Sequence, residues 1–190
     1  MLEVFREKKV YEVLLVTMSN VTPIGVVRSG EKLRFKLFPG KSFREVLETG
    51  KASIQLTNDP ELLVRTALNL PVEVEFEEQK GYRWIRGLPG VYGNVTSKVE
   101  HWKDNLGETE VLVCELIPKG EIRAELPTKP FSRADCLFVE MAILFTRYLV
   151  KSSEELREKI IDLYSTYKHL GGDSPTADYI FSVLTKKAQK

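Results

Sequence analysis

A change in sequence pattern near residue 130 most constrains the fold of this 190-residue chain. Before it, six stretches alternate apolar and polar side chains and are separated by Gly, Pro, Asn or Asp, which predicts strands. After Pro127 and Pro130 the apolar residues recur with helical spacing. Six or more strands at short spacing predict a barrel or sandwich. We therefore predict a mainly β (α+β) chain, with a β domain at 1–130 and a helical segment at 131–190.

Start signals divide the C-terminal segment into three predicted helices. The first begins after Ser132, the second after Ser153, and the third at Ser174-Pro175. The first is apolar on most sides, so we expect it to pack deeply. Cys114 and Cys136 lie in apolar stretches, which predicts two small buried side chains.

Two short helices are predicted inside the β domain. Ser42 and Glu45 have the spacing of a capping box, and Gly50 is a natural stop, which predicts a helix at 43–49. In the second, Asp59 is the predicted N-cap and Pro60 takes the first helical position.

The stretch FPGKSFREVL, residues 38–47, contains the Gly-Lys-Ser ending of a nucleotide-binding P-loop. The P-loop requires glycine five residues before Gly40, where this chain has Phe35. A P-loop strand is also a buried apolar run, whereas residues 32–37 alternate basic and apolar side chains. A nucleotide triphosphatase is therefore excluded. Two interpretations stay open: an anion site formed by Lys41, Ser42 and the helix start, or an ordinary capped helix.

Composition limits the classes of partner. Lys plus Arg number 28 and Asp plus Glu number 27, so a net charge of +1 provides no global attraction to nucleic acid or anionic membranes. No stretch approaches the roughly 20 apolar residues of a membrane span. We expect a soluble cytoplasmic protein that binds neither membrane nor nucleic acid. Two isolated cysteines and two histidines have no zinc-binding spacing, so no metal site is predicted.

Two polar clusters follow predicted strands. In LLVTMSNVTPIGVV, residues 14–27, hydroxyl and amide side chains are concentrated between two strands. They form either a simple polar turn or a surface that hydrogen-bonds the edge of a flat polar ligand. A second cluster, residues 55–60, lies where a strand gives way to a helix.

Taken in order, these motifs resemble those of a known family. The chain is similar to the flavin reductase-like, FMN-binding split-barrel superfamily, and within it to the largely archaeal family called domain of unknown function 447. The similarity spans nearly the whole chain and rests on Thr17, Pro23-Ile24-Gly25-Val26, Lys32 to Phe38, Ser42 to Gly50, Thr57-Asn58-Asp59-Pro60, Arg133-Ala134, Val139-Glu140 and Thr146-Arg147.

The resemblance implies a split β-barrel followed by three helices, and a homodimer with FMN at its interface. It assigns the FMN phosphate to Lys41, Ser42 and Arg44 at a helix start, and the isoalloxazine edge to residues 17–20. Gln55, Thr57 and Asn58 are implied as secondary contacts. The full implied cofactor site is Thr17, Met18, Ser19, Asn20, Pro23, Gly25, Lys41, Ser42, Phe43, Arg44, Gln55, Thr57 and Asn58.

Three functions remain open from the sequence. The first is an FMN-dependent oxidoreductase of the flavin reductase type, with a nicotinamide or another small molecule as electron donor. The second is a non-catalytic FMN-binding or carrier protein, because no catalytic acid or base is evident. The third is a β-barrel that binds RNA through the basic stripe of Lys32, Arg34, Lys36 and Lys41. The small net charge weighs against the third function.

Other residues have alternative interpretations. Trp84 and Arg86 either face the flavin of the partner subunit or are a barrel-core tryptophan beside a solvated arginine. His101-Trp102 lies in a polar, loop-like run that predicts a surface position. Arg133 lies at a helix N-terminus, where a cation is unfavourable by itself. It pairs either with Glu140 or with a ligand, and we predict the ion pair.

Overall fold

The structure, a computed structural model, describes residues 1–104, 107–127, 129–130 and 132–186. The chain divides into two compact units. The barrel unit contains Met1–Asn58 and Glu73–Pro127, and the helical unit contains Asp59–Val72 and the chain after Pro127. The predicted boundary at residue 130 differs from this division because it leaves residues 59–72 in the β domain.

The barrel unit is a closed antiparallel barrel of six strands in the order β1-β2-β3-β8-β7-β4. These strands are β1 (Val10–Val16), β2 (Val21–Ser29), β3 (Lys32–Leu37), β4 (Lys51–Gln55), β7 (Gly90–Asp104) and β8 (Gly107–Ile122). A short 3-10 turn, Leu2–Val4, precedes β1, and the helix α1, Lys41–Thr49, connects β3 to β4. The predicted barrel is confirmed.

Apolar and basic side chains alternate along β3, so one face of the strand lies in the barrel core. Leu33, Phe35 and Leu37 are buried among the apolar side chains of the barrel, whereas the basic residues between them face outward. β3 pairs antiparallel with β2 on one side and with β8 on the other, whereas a P-loop strand belongs to a parallel sheet. Cys114 lies in this core as predicted, and burial raises the pKa of its thiol to about 12.

A second sheet of two antiparallel strands, β5 (Phe76–Gln79) and β6 (Tyr82–Ile85), lies against β4 of the barrel. The buried Gln55 side chain of β4 joins the two sheets, because its amide nitrogen donates to the carbonyls of Ile85 and Leu88 at 2.9 and 2.7 Å. Its amide oxygen accepts from the Ile85 N–H at 2.6 Å. Strand β5 begins only at Phe76, although the apolar and polar side chains already alternate from residue 71.

β7 and β8 form a long hairpin whose distal part pairs only with itself. His101 and Trp102 belong to β7, so the loop-like prediction for them was wrong, because the cross-strand ladder continues to Asp104. His101 is exposed as predicted, and Trp102 lies beneath the Lys36 ammonium, whose nitrogen is 3.7 Å from the ring centroid. This cation–π contact accounts for a tryptophan on a polar strand.

The described residues of the helical unit form four helices: α2 (Pro60–Ala67), α3 (Arg133–Val150), α4 (Glu154–His169) and α5 (Pro175–Lys186). Their apolar faces form one core that includes Val64, Phe138, Met141, Ile160 and Leu184. The predicted N-caps of α2, α3 and α4 are confirmed, because each cap side chain accepts a hydrogen bond from a first-turn N–H. Among the described helices, none is long and apolar enough to cross a membrane.

Two predictions about α3 were wrong. Cys136 is exposed, because the buried face of α3 contains Ala134, Phe138 and Met141 instead. Arg133 is exposed and forms no ion pair with Glu140 among the ion pairs of the described residues. In the first turn of α3, the Asp135 carboxylate forms an ion pair with the Lys129 ammonium at 2.7 Å.

Candidate functional site

The candidate site begins at the turn between β1 and β2. Val16 and Val21 form the last ladder pair, and the Thr17 N–H donates to the Asn20 carbonyl at 2.9 Å, which closes a tight turn. Thr17 is buried, whereas Met18 and Ser19 are exposed. The strand pair therefore presents residues 18 and 19 at one end of the barrel.

The start of α1 lies beside this turn and lacks the predicted cap. Gly40 is the N-cap residue of α1, and no side chain caps the helix. The capping box of Ser42 and Glu45 was therefore a wrong prediction, because both side chains bond to the β1–β2 turn and to the start of β2 instead. The stop at Gly50 is confirmed, because this residue is left-handed with φ 59° and its N–H donates to the Val46 carbonyl.

Three polar side chains join the turn to the helix. The Asn20 amide nitrogen donates to the hydroxyls of Thr22 and Ser42, both at 2.9 Å. The two hydroxyl oxygens lie 2.7 Å apart, so one donates to the other. Two hydroxyls have two protons, and only one proton is used between them. The triad therefore keeps one O–H donor for a further acceptor.

Ser19 is held from both sides by α1. Its N–H donates to Glu45 at 3.0 Å, its hydroxyl donates to the other oxygen of the same carboxylate, and its carbonyl accepts from the Lys41 ammonium at 3.2 Å. Burial opposes ionisation of Glu45, but hydrogen bonds from Ser19 and Thr17 and the charge of Lys41 outweigh it. The pKa of this carboxyl consequently lies below its ordinary value.

A third element contacts the turn. Arg83 of β6 donates to the Met18 carbonyl at 2.8 Å, and its guanidinium carbon lies 3.7 Å from the centroid of the Phe76 ring. Neither Arg83 nor the Glu45 contact was predicted as part of the site. Glu45 carried a sequence signal, its spacing from Ser42, but that signal indicated a helix cap. Arg83 carried none, since its partner lies 65 positions away.

The arrangement leaves a defined set of donors. Among the described residues, nothing accepts from the backbone N–H groups of Lys41, Ser42 and Phe43 at the start of α1, nor from those of Met18 and Asn20 in the turn. Unpaired N–H groups at a helix start favour an anion. The exposed side chains of Lys41 and Arg44 add positive charge there. The site can therefore bind a ligand that has both an anionic group and polar acceptors.

The predicted residues occupy three different positions. The residues at 17–20 and 41–44 come together as predicted, with Phe43 half-buried against the barrel core. Pro23 and Gly25 lie further along β2, opposite Leu14 and Glu12. Gln55 is fully buried and its amide is bonded within the protein. The half-buried Thr57 and the exposed Asn58 follow β4, and Asn58 donates to the Pro127 carbonyl at 2.7 Å.

Trp84 and Arg86 both contact other residues of the barrel unit. Trp84 stacks on Tyr92 with ring centroids 5.6 Å apart, and its indole nitrogen donates to Glu77 at 3.0 Å. It therefore belongs to a small cluster outside the barrel core. Arg86 is exposed and pairs with Glu75 and Glu77.

The basic stripe considered for RNA is partly engaged in contacts within the protein. Glu115 pairs with Lys32 at 2.8 Å and with Arg34 at 3.3 Å, and the Lys36 ammonium lies over Trp102. One carboxylate thus pairs with two of the four cations of the stripe. The chain's net charge of +1 still weighs against an RNA surface.

A closed barrel followed by a helical unit is the split-barrel architecture that the family resemblance implied. The chain belongs to the family described as "Protein of unknown function (DUF447)". The model of the family's N-terminal domain matches residues 11–124, and the model of its second part matches residues 132–177. No curated protein matched the chain.

Two solved structures are similar to this chain. A crystal structure of an FMN-bound protein of the same family from Methanosarcina mazei has a TM-score of 0.72 and 22% identity, covering 98% of this chain and 99% of that one. The styrene monooxygenase flavin reductase from Pseudomonas putida has a TM-score of 0.41 and 14% identity, covering 63% of this chain and 81% of that one. The first comparison shows that the two chains share a fold.

Proposed function

We propose that this chain is an FMN-binding flavoprotein and that it acts as an oxidoreductase of the flavin reductase type. The observation that carries the proposal is the contact between the uncapped start of α1 and the turn at residues 17–20. It brings anion-binding donors and neutral donors together. The family relative from Methanosarcina mazei, which is described as FMN-bound, supports the same cofactor.

The donors fit the two ends of FMN. The phosphate is a dianion that suits the three free N–H groups of α1, the Lys41 and Arg44 cations and the spare hydroxyl proton of the Thr22–Ser42 pair. The ring carries neutral carbonyl and nitrogen acceptors that suit the Met18 and Asn20 N–H groups. Lys41 has three donors and uses one for Ser19, so it can bind phosphate without releasing the turn.

The chemistry of an oxidoreductase here rests on the cofactor, which supplies electron and hydride transfer when bound. Glu45 is ionised near neutral pH, and both of its oxygens accept from Ser19. It is therefore an unsuitable proton donor. The part assigned to the chain is binding and orientation, which also suits the alternative of a non-catalytic FMN carrier.

We also propose a homodimer with FMN at its interface. Met18, Phe38 and Leu47 lie on or next to the elements of the site and are 39%, 54% and 50% exposed. Large exposed apolar side chains near one site favour contact with another protein surface. Sedimentation velocity with and without FMN checks the dimer, and a monomer under both conditions would contradict it. A cytoplasmic location stays a prediction.

The binding proposal is tested by titrating flavin-free protein with FMN and with riboflavin, which lacks the phosphate. Lys41→Ala should weaken FMN on the order of tenfold, the value of one charge-assisted hydrogen bond, and riboflavin by less than about threefold. Lys98→Ala is the matched control, because Lys98 is an exposed lysine of the barrel that pairs with Glu100. Equal losses for both flavins would refute the phosphate assignment.

A second experiment separates an enzyme from a carrier. The FMN-loaded protein is mixed with NADH or NADPH without oxygen, and the flavin absorbance is followed. Rapid bleaching supports a reductase that uses a nicotinamide donor. Persistent colour with either nucleotide, in protein that binds FMN, favours the carrier or another electron donor.

A further inference from the structure

We infer that Glu45 and Arg83 are positioning residues that hold the turn at residues 17–20 in the conformation that receives the flavin ring. The inference rests on the proposed function, since it concerns the same site. It assigns a role to two residues that lie outside the set implied by the sequence.

The first argument is where Glu45 makes its hydrogen bonds. It lies three residues after Ser42, the spacing at which a glutamate caps its own helix, yet α1 has no side-chain cap. Its carboxylate instead receives both the N–H and the hydroxyl of Ser19. A half-buried carboxylate with both oxygens engaged by one residue fixes that residue much more firmly than one bond does.

The second argument is that the carbonyl groups of Met18, Ser19 and Asn20 are also hydrogen-bonded. Lys41 binds the Ser19 carbonyl, Arg83 binds the Met18 carbonyl, and Thr17 binds the Asn20 carbonyl through its N–H and its hydroxyl. Four hydrogen bonds from α1, β6 and the turn itself therefore orient these peptide groups. A turn held in this way loses less conformational entropy when a ligand binds.

The consequence concerns the groups that are left over. Within the described part of the chain, the Met18 and Asn20 N–H groups have no acceptor in the protein. Glu45 holds the N–H and Arg83 holds the carbonyl of the same peptide, Met18–Ser19. This peptide lies between the two peptides that carry the Met18 and Asn20 N–H groups, so fixing it restricts the directions of both. Glu45 and Arg83 thereby act on the flavin ring through the backbone, without touching the ligand.

Glu45 also has an electrostatic effect that separates it from a purely structural residue. Lys41 and Glu45 lie one turn apart on α1, and the Lys41 charge stabilises the Glu45 carboxylate. A carboxylate near a phosphate site opposes a phosphate dianion but has little effect on a neutral ring. Replacing Glu45 with an uncharged group of the same shape should therefore favour FMN over riboflavin.

The test compares Glu45→Ala, Glu45→Gln and Glu48→Ala. Glutamine keeps an oxygen for the Ser19 N–H and offers an NH2 group to the Ser19 hydroxyl, whereas alanine removes both contacts. Glu48 is the matched control, because it is an exposed glutamate of the same helix. Affinities for FMN and riboflavin are measured by fluorescence titration of the full chain, and exchange of the Ser19 amide is measured by NMR without flavin.

We expect Glu45→Ala to accelerate exchange of the Ser19 amide and to weaken riboflavin on the order of tenfold, the value of one hydrogen bond to a charged group. FMN should weaken by less, because the same substitution removes a carboxylate that opposes the phosphate. Glu45→Gln should restore Ser19 protection and riboflavin affinity to within about threefold, and should bind FMN at least as tightly as the original protein. Arg83→Ala should weaken FMN and riboflavin by the same factor. This factor should be smaller than the riboflavin loss in Glu45→Ala, because the Arg83 contact is exposed. Glu48→Ala should change nothing.

Two outcomes overturn the inference and are distinct from failure of the proposed function. If Glu45→Ala leaves both flavin affinities unchanged, flavin binding does not depend on the contacts between Glu45 and Ser19. If the Ser19 amide proton exchanges as fast in the original protein as in Glu45→Ala, the hydrogen bonds between Glu45 and Ser19 do not form in solution. If the original protein binds neither flavin, the proposed function itself fails, and this appears before any variant is made.

Discussion

The start of α1 in the barrel unit differs from the helix starts of the helical unit. In α2, α3 and α4 a Ser or Asp side chain accepts from first-turn N–H groups, and in α5 the Ser174 hydroxyl accepts from the N–H groups of Thr176 and Ala177. In α1, Gly40 provides no side chain, and Ser42 and Glu45 bond to another part of the barrel unit.

The difference separates stability from binding. A side-chain cap satisfies the N–H groups that a helix start would otherwise expose, and it contributes about 1 kcal/mol to stability. An uncapped start leaves those groups to a ligand. The helical unit therefore uses its caps to stabilise helices, whereas the barrel unit leaves the α1 start available at the candidate site.

Glu61→Ala should have the largest effect in the helical unit. Glu61 of α2 accepts from Ser174 at 2.6 Å and from Thr176, so it supports the capped start of α5. Loss of two hydrogen bonds to a carboxylate should lower the free energy of unfolding by about 2 to 3 kcal/mol. Urea denaturation measures the change. A loss below about 0.5 kcal/mol would show that the starts of the helical unit do not depend on these contacts.

Asp59→Ala should have an intermediate effect. Asp59 accepts from the N–H groups of Glu61 and Leu62 at 2.9 and 3.3 Å. Without this cap, the free energy of unfolding should fall by about 1 kcal/mol. The same denaturation experiment measures it, with Asp59→Asn as the control that keeps an acceptor oxygen. If asparagine and alanine cost the same, the Asp59 cap is not what stabilises α2.

The sequence predicted most of the fold because strand alternation and helix caps are local signals. Alternation in β3 and the caps Asp59, Ser132 and Ser153 depend on neighbouring residues alone. The family resemblance then selected the barrel among the possible β architectures. The membership of residues 59–72 in the helical unit was not predicted, because it depends on contacts with distant helices that no local pattern encodes.

The sequence predicted which two segments meet at the candidate site, but not the hydrogen bonds that join them. Residues 17–20 and 41–44 do meet, but Ser42 and Glu45 fit a capping box equally well by local sequence. Their partners lie about two dozen positions away, and the tertiary hydrogen bonds prevail over the local one. Gln55 shows the same limit, since its amide is used to join two sheets rather than left free.

Gly40→Asp should have the smallest effect on stability and tests the comparison most directly. The substitution supplies α1 with the cap that the other helices have, and a Cβ fits because the nearest heavy atom, the Phe38 carbonyl oxygen, is 3.8 Å away. The new carboxylate should raise the free energy of unfolding by about 0.5 kcal/mol through the cap and the helix dipole. Gly40→Ala, which adds a Cβ without an acceptor, is the control.

The decisive measurement is the ratio of FMN to riboflavin affinity in Gly40→Asp. If the uncapped start of α1 receives the phosphate, the added carboxylate should occupy its N–H groups and repel the dianion. FMN should then bind at least about tenfold more weakly while riboflavin changes by less than about threefold. An unchanged FMN affinity in a protein whose helix has become more stable would contradict the account, because the cap and the phosphate would not share one site.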